Sequence, residues 1–461
     1  MVLLRNFLLA NLLLYSLSTG TGIIASNSNS KPNIILLLTD DQRWDTLGSY
    51  GNSFIHTPNL DRLAESGTVF ENMFVTTSIC ATSRASILTG QYARRHGVWD
   101  FQTELTENQL DKSYLGTLRK AGYKIGFIGK WGIGNPPRDW FDYDRTFPGQ
   151  GQYWVNTGNG PRHLTSLMAD QAVEFISGFS NGDRPFCLSV SFKAAHVQDS
   201  YSLSDIPFPY DPEFKDLYSS GDLPFAKTST SAYFDQLPDF LKNSEARLRW
   251  AIRFWGPARA QESIKGYYRL ISGVDAAVGR ITQALRNSGC LENTVIIFTG
   301  DNGFYLGEHG LAGKWFAHEP SIRVPLIVSI PHITEPARKR VTDLALNIDL
   351  APTIIELAGE TIPPEMQGKS LLKTVFGSLS ELRSEIFYEH LFEHPRIAKS
   401  EAIRTSKWKY VRYIDFSPAY EELYDLENDP DEAINLALKE GYGQELKELR
   451  EKIEQLRKSA E

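Results

Sequence analysis

The sequence predicts an α/β protein: a large, mostly parallel sheet flanked by helices, followed by a small antiparallel sheet with a terminal helix. Three observations predict it. Continuous apolar runs of strand length recur at 32–39, 124–129, 185–192 and 293–300, and such runs mark strands buried on both faces. Segments with helical spacing lie between them, as a wound α/β sheet requires. Beyond Pro363-Pro364 and Gly368 the apolar runs become shorter and alternate, which is the pattern of an antiparallel sheet.

The chain has 461 residues, more than one core usually holds. We expect a large domain over 32–362 and a smaller one over 363–461. Lys and Arg number 48 against 56 Asp and Glu, a net charge of −8. That balance argues against general binding to nucleic acid, so a polyanionic substrate needs a local basic pocket. The three cysteines, Cys80, Cys187 and Cys290, are too few for a disulfide framework. Cys187 and Cys290 could pair, but both flank strand-like runs and read better as buried thiols. Residues 1–25 read as a signal peptide: Arg5, an apolar run over 7–15 broken by Asn11, and Ile23-Ile24-Ala25 before Ser26. The apolar run is too short to span a bilayer. A secreted or periplasmic protein without a transmembrane segment is expected.

The first strand, 32–39, ends in Asp40-Asp41, where open α/β sheets place ligands. Two adjacent carboxylates stay buried only with a cation or hydrogen bonds; otherwise they belong to a solvated loop. A short helix over 60–67 leads to 77–90, where Cys80 sits among small polar residues with Arg84 four positions on. The run from Arg84 reads as the first turns of a helix, whose N-terminus favours an anion. A nucleophile there competes with the commoner fate of a lone cysteine, simple burial. A helix over 114–121, capped by Gly122, precedes strand 124–129, which ends in Lys130-Trp131-Gly132. Lys130 either reaches the same crevice or is a surface lysine. A helix over 164–179 and strand 185–192 lead to Lys193 and His196; a lone histidine is more often structural than catalytic.

From 196 to 261 the chain is irregular and aromatic, with Tyr201, Phe208, Tyr210, Phe214, Tyr218, Phe225, Tyr233 and Phe234. Such an excursion is functional or disordered, and its aromatic content favours a substrate-side lid. Arg247, Arg249, Arg253 and Arg259 hold an anionic sugar or form a solvated helix face, the latter being the preferred reading. A helix over 264–288 precedes strand 293–300, which ends in Asp301-Asn302-Gly303. Two strands thus end in pairs of hard oxygen ligands, and Asp40, Asp41, Asp301 and Asn302 together suit Ca²⁺ or Mg²⁺. Next come Gly307-Glu308-His309-Gly310, Lys314, a strand at 322–328, and a helix opening at 347–353 with Asp349 as its cap or as support to the site. Alternating runs at 386–390, 402–405 and 407–414 form the small sheet. A charged helix over 443–458 carries Leu446, Leu449, Ile453 and Leu456 on one stripe.

With these motifs laid out, the chain resembles the type I, formylglycine-dependent sulfatases of the alkaline phosphatase superfamily. The resemblance runs from Pro32 to about Leu436. It covers Pro32-Asn33-Ile34 to Asp40-Asp41, the Cys80-to-Gly90 signature, Gly129-Lys130-Trp131, the strand to His196, Asp301-Asn302-Gly303, Gly307-Glu308-His309-Gly310-Leu311 with Lys314, and Arg323-Val324-Pro325. The tail Leu423-Tyr424-Asp425-Leu426-Glu427-Asn428-Asp429-Pro430 with Asn435-Leu436 belongs to it too.

The resemblance implies that Cys80 is oxidised to formylglycine by a formylglycine-generating or sulfatase-maturing enzyme. One hydroxyl of the hydrated aldehyde would attack sulfur, and the other would expel sulfate. It further implies a divalent metal, calcium by family expectation, held by Asp40, Asp41, Asp301, Asn302 and the diol at Cys80. Arg84 would orient the diol, and Lys130, His196 and Lys314 would surround the sulfate oxygens. His196 is the candidate acid for the leaving alcohol, with Lys314 as the alternative; His309 would support. Two positions depart from the family pattern. Thr82 stands where the family has Pro or Ala. Gly132 replaces a histidine that contacts the formylglycine; His96 is one conceivable substitute, though it reads better as a satisfied surface histidine. The leading expectation is a secreted sulfatase acting on a sulfated carbohydrate, with algal polysaccharide fragments preferred. The alternatives are a phosphoester or phosphonate hydrolase of the same superfamily and an inactive carbohydrate-binding pseudoenzyme.

Overall fold

The computed structural model describes residues 31–461 apart from 159, 200, 201, 203, 332–336 and 380. The expected signal peptide over 1–25 lies outside the described residues. Among the described residues the large sheet has eight strands: β1 (Asn33–Thr39), β2 (Thr68–Phe74), β3 (Lys124–Lys130), β4 (Tyr143–Phe147), β5 (Phe186–Ser191), β6 (Thr294–Gly300), β7 (Arg323–Ser329) and β8 (Arg340–Leu346). Their spatial order is β8-β2-β7-β6-β1-β5-β3-β4. Every pairing is parallel except those of β7 with β2 and β6.

β1 shows why the continuous apolar runs are strands. Its side chains alternate between faces: Ile34, Leu36 and Leu38 enter one core, Ile35 and Leu37 the other. Each fully buried aliphatic side chain contributes about 1.5–3 kcal/mol, so a strand buried on both faces must be apolar at every position. β2, β4 and β8 carried no such signal. β4 and β8 are the outermost strands, and polar residues interrupt β2 at Glu71 and Asn72.

Helices cover both faces. On one, α1 (Pro58–Ser66), α4 (Leu164–Phe179) and α6 (Pro257–Asn287) pack together. On the other lie α2 (Cys80–Thr89), α3 (Tyr114–Lys120) and α7 (Leu350–Leu357). The long helix α6 starts at Pro257 and not at 264. Proline suits the first turn because its missing N–H is unpaired there anyway, and the polar residues that follow hid the onset. The aromatic excursion before it is folded into short helices, including α5 (Glu245–Arg253).

The arginines of that excursion do not form a solvated face. Arg247 lies over the Phe234 and Trp250 rings at 3.8 and 4.0 Å. Arg249 pairs with Glu245 and Asp199 at 2.7 and 2.8 Å, and Arg253 is buried 3.6 Å from Asp199. Arg259 pairs with Glu262 at 2.6 Å. Ring and carboxylate partners draw these guanidinium groups inward.

The second sheet is antiparallel, in the order β9 (Glu385–His390), β10 (Ser400–Thr405), β11 (Trp408–Tyr413) and β12 (Tyr420–Asp425). Tyr388, Ala402, Val411 and Tyr413 join the main core, while Phe387, Ile403, Tyr410 and Leu423 face the other way. The terminal helix α8 (Gly443–Ala460) covers that second face with Leu446, Leu449 and Ile453. The small sheet is thus a layer between the main core and α8, and the main core runs across position 363.

Candidate active site

β6, β1, β5 and β3 are neighbours in the sheet. Their carboxyl ends therefore deliver Asp301-Asn302, Asp40-Asp41, His196 and Lys130 to one crevice, as open parallel sheets do. α2 brings its first residue, Cys80, to the same place, and all three cysteines are buried and free. Trp315, beside Lys314, donates its N–H to Ser78 Oγ at 3.1 Å, which ties the Lys314 loop to the Cys80 loop.

Asp40 is fully buried. Its Oδ2 accepts from Lys130 Nζ and lies 3.4 Å from Arg84 Nη2. Burial opposes ionisation, but Lys130, His196, Arg84 and Lys314 together hold this carboxyl well below its usual range. Asp41 has left-handed backbone, φ 59°. Its carbonyl accepts from Tyr267 Oη at 2.6 Å, and its Oδ1 accepts from Asn302 Nδ2 at 2.6 Å and from Lys314 Nζ. Burial and the neighbouring Asp40 raise the Asp301 carboxyl above its ordinary value, against Arg84, Lys314 and Lys130. Lys314 is held charged: burial opposes this, but Asp41 and the other acidic groups prevail.

Arg84 donates from Nε to Asp301 and from Nη1 to the Lys130 carbonyl, both at 2.9 Å, and to Ser191 Oγ. His196 has Nδ1 2.7 Å from the Val197 carbonyl. A carbonyl only accepts, so Nδ1 carries the proton and Nε2, 3.6 Å from Asp41 Oδ2, offers a lone pair. Burial pushes the His196 pKa down to about 4, against the pull of Asp41 and Asp40.

The donors fit a hard divalent cation. Asp40 Oδ1 and Asn302 Oδ1 are buried oxygens with no hydrogen-bond partner among the described residues, an arrangement that a cation relieves. Atoms of Asp40, Asp41 and His196 lie within 4.8 Å of one another. Asp301 is differently engaged, its two oxygens being taken by Arg84 and by the Asp41 N–H at 3.1 Å.

The structure thus gathers Cys80, Arg84, Lys130, His196, Lys314, Asp40, Asp41, Asp301 and Asn302 into one contact network. Asp349 stays outside, accepting from Leu346 N, Lys369 N and Arg383. His309 stacks on His318 at 5.1 Å. His96 is satisfied between Ser86 Oγ and the Val98 N–H, each at 3.0 Å; it is buried, not a surface group, because α2 covers it. Thr82 is buried too.

Two contributors, Tyr153 and Gln150, escaped the sequence, and Lys193 had no role there. Tyr153 Oη donates to the His196 carbonyl at 2.5 Å. Lys193 is buried beside the Tyr153 ring, and burial lowers its pKa to about 8. Gln150 accepts from Lys130 Nζ at 2.7 Å. The one signal for Gln150 was its place between Gly149 and Gly151, and it had no meaning until β4 was known to end at Phe147.

A family profile described as Sulfatase matches residues 32–360, and one described as N-sulphoglucosamine sulphohydrolase, C-terminal, matches 307–459. The chain is 28% identical to the N-acetylglucosamine-6-O-sulfatase of Bacteroides thetaiotaomicron, over 93% of this chain and 86% of that one. It is 27% identical to the ulvan-active sulfatase of Formosa agariphila, over 93% and 80%. A solved structure holding its substrate D-glucosamine-2-N,6-O-disulfate superposes with a TM-score of 0.73 at 26% identity, covering 94% of this chain and 98% of the other. A sulfatase match over most of the chain, on an alkaline-phosphatase-like sheet, makes this protein a member of the sulfatase family, a hydrolase of sulfuric esters.

Proposed function

We propose that this sulfatase removes sulfate from a sulfated carbohydrate, with Cys80 matured to formylglycine and one divalent cation in place. The convergence of Cys80, two lysines, an arginine and orphaned carboxylate and amide oxygens supports this reading. The matured residue, as a hydrated aldehyde, would supply the attacking hydroxyl and a second hydroxyl for release. The cation, calcium or alternatively magnesium, bound by Asp40, Asp41, Asp301 and Asn302, would supply Lewis-acid polarisation.

The chain's own groups do the rest. Arg84 fixes the helix start that carries the nucleophile by gripping Asp301 and the Lys130 carbonyl. Lys130 and Lys314 place ammonium groups where sulfate oxygens gather charge. His196 is neutral in the free enzyme; the negative charge of a bound sulfate ester favours uptake of a proton from solvent at Nε2, which then gives that proton to the leaving oxygen. Lys314 is the alternative donor.

The relatives named for glucosamine and ulvan sulfates motivate a carbohydrate. Secretion or periplasmic export, where a maturing enzyme would meet Cys80, belongs to the same proposal, as does a catalytic unit over 32–362 with 363–461 as a subdomain sharing its core. The test is sulfate release from algal and glucosamine-based sulfated oligosaccharides, with the Cys80 peptide examined by mass spectrometry. We expect release and an aldehyde. Equal release by Cys80→Ala overturns the nucleophile, and an intact thiol in native-host protein favours the inactive pseudoenzyme.

A further inference from the structure

Position 132 has no room for a side chain. Gly132 has φ +79°, and a β-carbon there would lie 2.8 Å from Arg84 Cδ and 3.4 Å from Lys130 Cε. Left-handed backbone disfavours any residue with a β-carbon, and the Arg84 stem already occupies the volume. The histidine that sulfatases usually carry at this point is therefore excluded by packing as well as by sequence. Contact with the nucleophile then falls to another group or to water, or activity is reduced.

We propose that Gln150 takes over this contact, its side-chain amide spanning Lys130 and the nucleophile at Cys80. The Gln150 oxygen lies 2.7 Å from Lys130 Nζ, and Nε2 lies 3.9 Å from Cys80 Sγ. The chemistry fixes which way the amide points. An ammonium group only donates, so the amide oxygen must face Lys130, and the NH₂ is left facing Cys80. β4 sets the position: Phe147 pairs with Lys130 across β3 and β4, which puts Gln150 three residues past that register. Gly149 and Gly151, with φ of 61° and 65°, turn the chain back so that the side chain enters the crevice.

This assignment rests on the formylglycine reading of Cys80. In the matured enzyme an oxygen replaces the sulfur, and the same NH₂ donates to it. An amide does not titrate, so Gln150 orients the nucleophile and stabilises charge developing on it without moving a proton. The same amide couples the nucleophile to Lys130, which itself grips Asp40.

The experiment compares wild type, Gln150→Ala and Gln150→Glu on an aryl sulfate, with equal aldehyde content verified by mass spectrometry and folding verified by Tm. Glutamate keeps the acceptor for Lys130 but has no N–H. We expect Gln150→Ala to lose about 10- to 100-fold in kcat with KM within about twofold, as loss of one hydrogen bond to a charged group predicts, and Gln150→Glu to lose at least as much in kcat. Calorimetric binding of inorganic sulfate to Gln150→Ala should stay within about twofold, because the lysines remain. Wild-type kcat in Gln150→Ala overturns the assignment. Wild-type kcat in Gln150→Glu alone reduces Gln150 to a support for Lys130 and also overturns it. No turnover by wild type carrying the aldehyde overturns the sulfatase reading of the site instead.

Discussion

Arg84 clasps Asp301: its Nε and Nη2 each lie 2.9 Å from Asp301 Oδ2. The pair is buried and ties the start of α2 to the end of β6. Removing one partner of a buried ion pair leaves the other charge unpaired, which costs about 3–5 kcal/mol. Arg84→Ala should lower unfolding stability by that order in urea and abolish sulfate release. Unchanged stability would mean that Arg84 does not hold the two elements together.

Restoring the family histidine should harm the enzyme. Gly132→His must adopt φ near +79° and push into Arg84 Cδ. The left-handed backbone costs about 1–2 kcal/mol and overpacking about 1–3 kcal/mol. A lower Tm and lower kcat are expected, read by thermal melting and aryl sulfate turnover. A gain of activity would show that the pocket relaxes.

Calcium should stabilise the fold, because Asp40 Oδ1 and Asn302 Oδ1 lack hydrogen-bond partners among the described residues. Ligand at about a hundred times its Kd adds about 2.7 kcal/mol to the native state. Thermal melts with added calcium should therefore shift upward and with EDTA downward. Asn302→Ala should weaken the response, and Asp40→Asn should remove most of it. An identical response in Asp40→Asn would place the cation elsewhere.

Acid sensitivity should depend on His96. Its Nδ1 accepts from the Val98 N–H, so Nε2 donates to Ser86 Oγ. Protonating Nδ1 would set two N–H groups against each other. Burial pushes the pKa from 6.5 to about 3. The folded pKa is depressed, so this contribution is fully present above pH 6.5 and is lost as pH falls from 6.5 towards about 3. In that window the unfolded chain binds the extra proton and stability falls by about 1.4 kcal/mol per pH unit. Urea midpoints at pH 7.5 and 5 should differ less in His96→Gln than in wild type, even though the variant is weaker at both. Equal slopes would show that His96 protonates in the native state.

Much of the site was legible because its residues follow strands that cannot be anything else. The runs ending at Thr39, Gly129 and Gly300 are apolar through their centres, so the first charged or amide side chain after each marks a strand end. The helix over 164–179 coincided with α4 for a related reason, since its apolar stripe is long and uninterrupted. β2, β4, β8 and β12 stayed hidden because an outer or interrupted strand needs only partial apolarity. Gln150 stayed hidden with β4. The arginines of the excursion were misread because a guanidinium on a short polar helix looks solvated until its partners, Asp199, Glu245 and the Trp250 ring, are seen.

The sequence by itself determined the chemistry on offer: a cysteine at a helix start, carboxylates and an amide after two strands, and cations after others. Burial on both faces demands such apolar strands, and the polar residues that end them are conspicuous for that reason. Only the tertiary structure decided what those groups do together. The order β6-β1-β5-β3 makes four strand ends neighbours, a fact of hydrogen-bonded pairing between segments far apart in sequence. The Arg84 stem closes position 132, and the β3–β4 register carries Gln150 to Cys80. Both depend on volumes and distances between elements, which no local pattern of residues records.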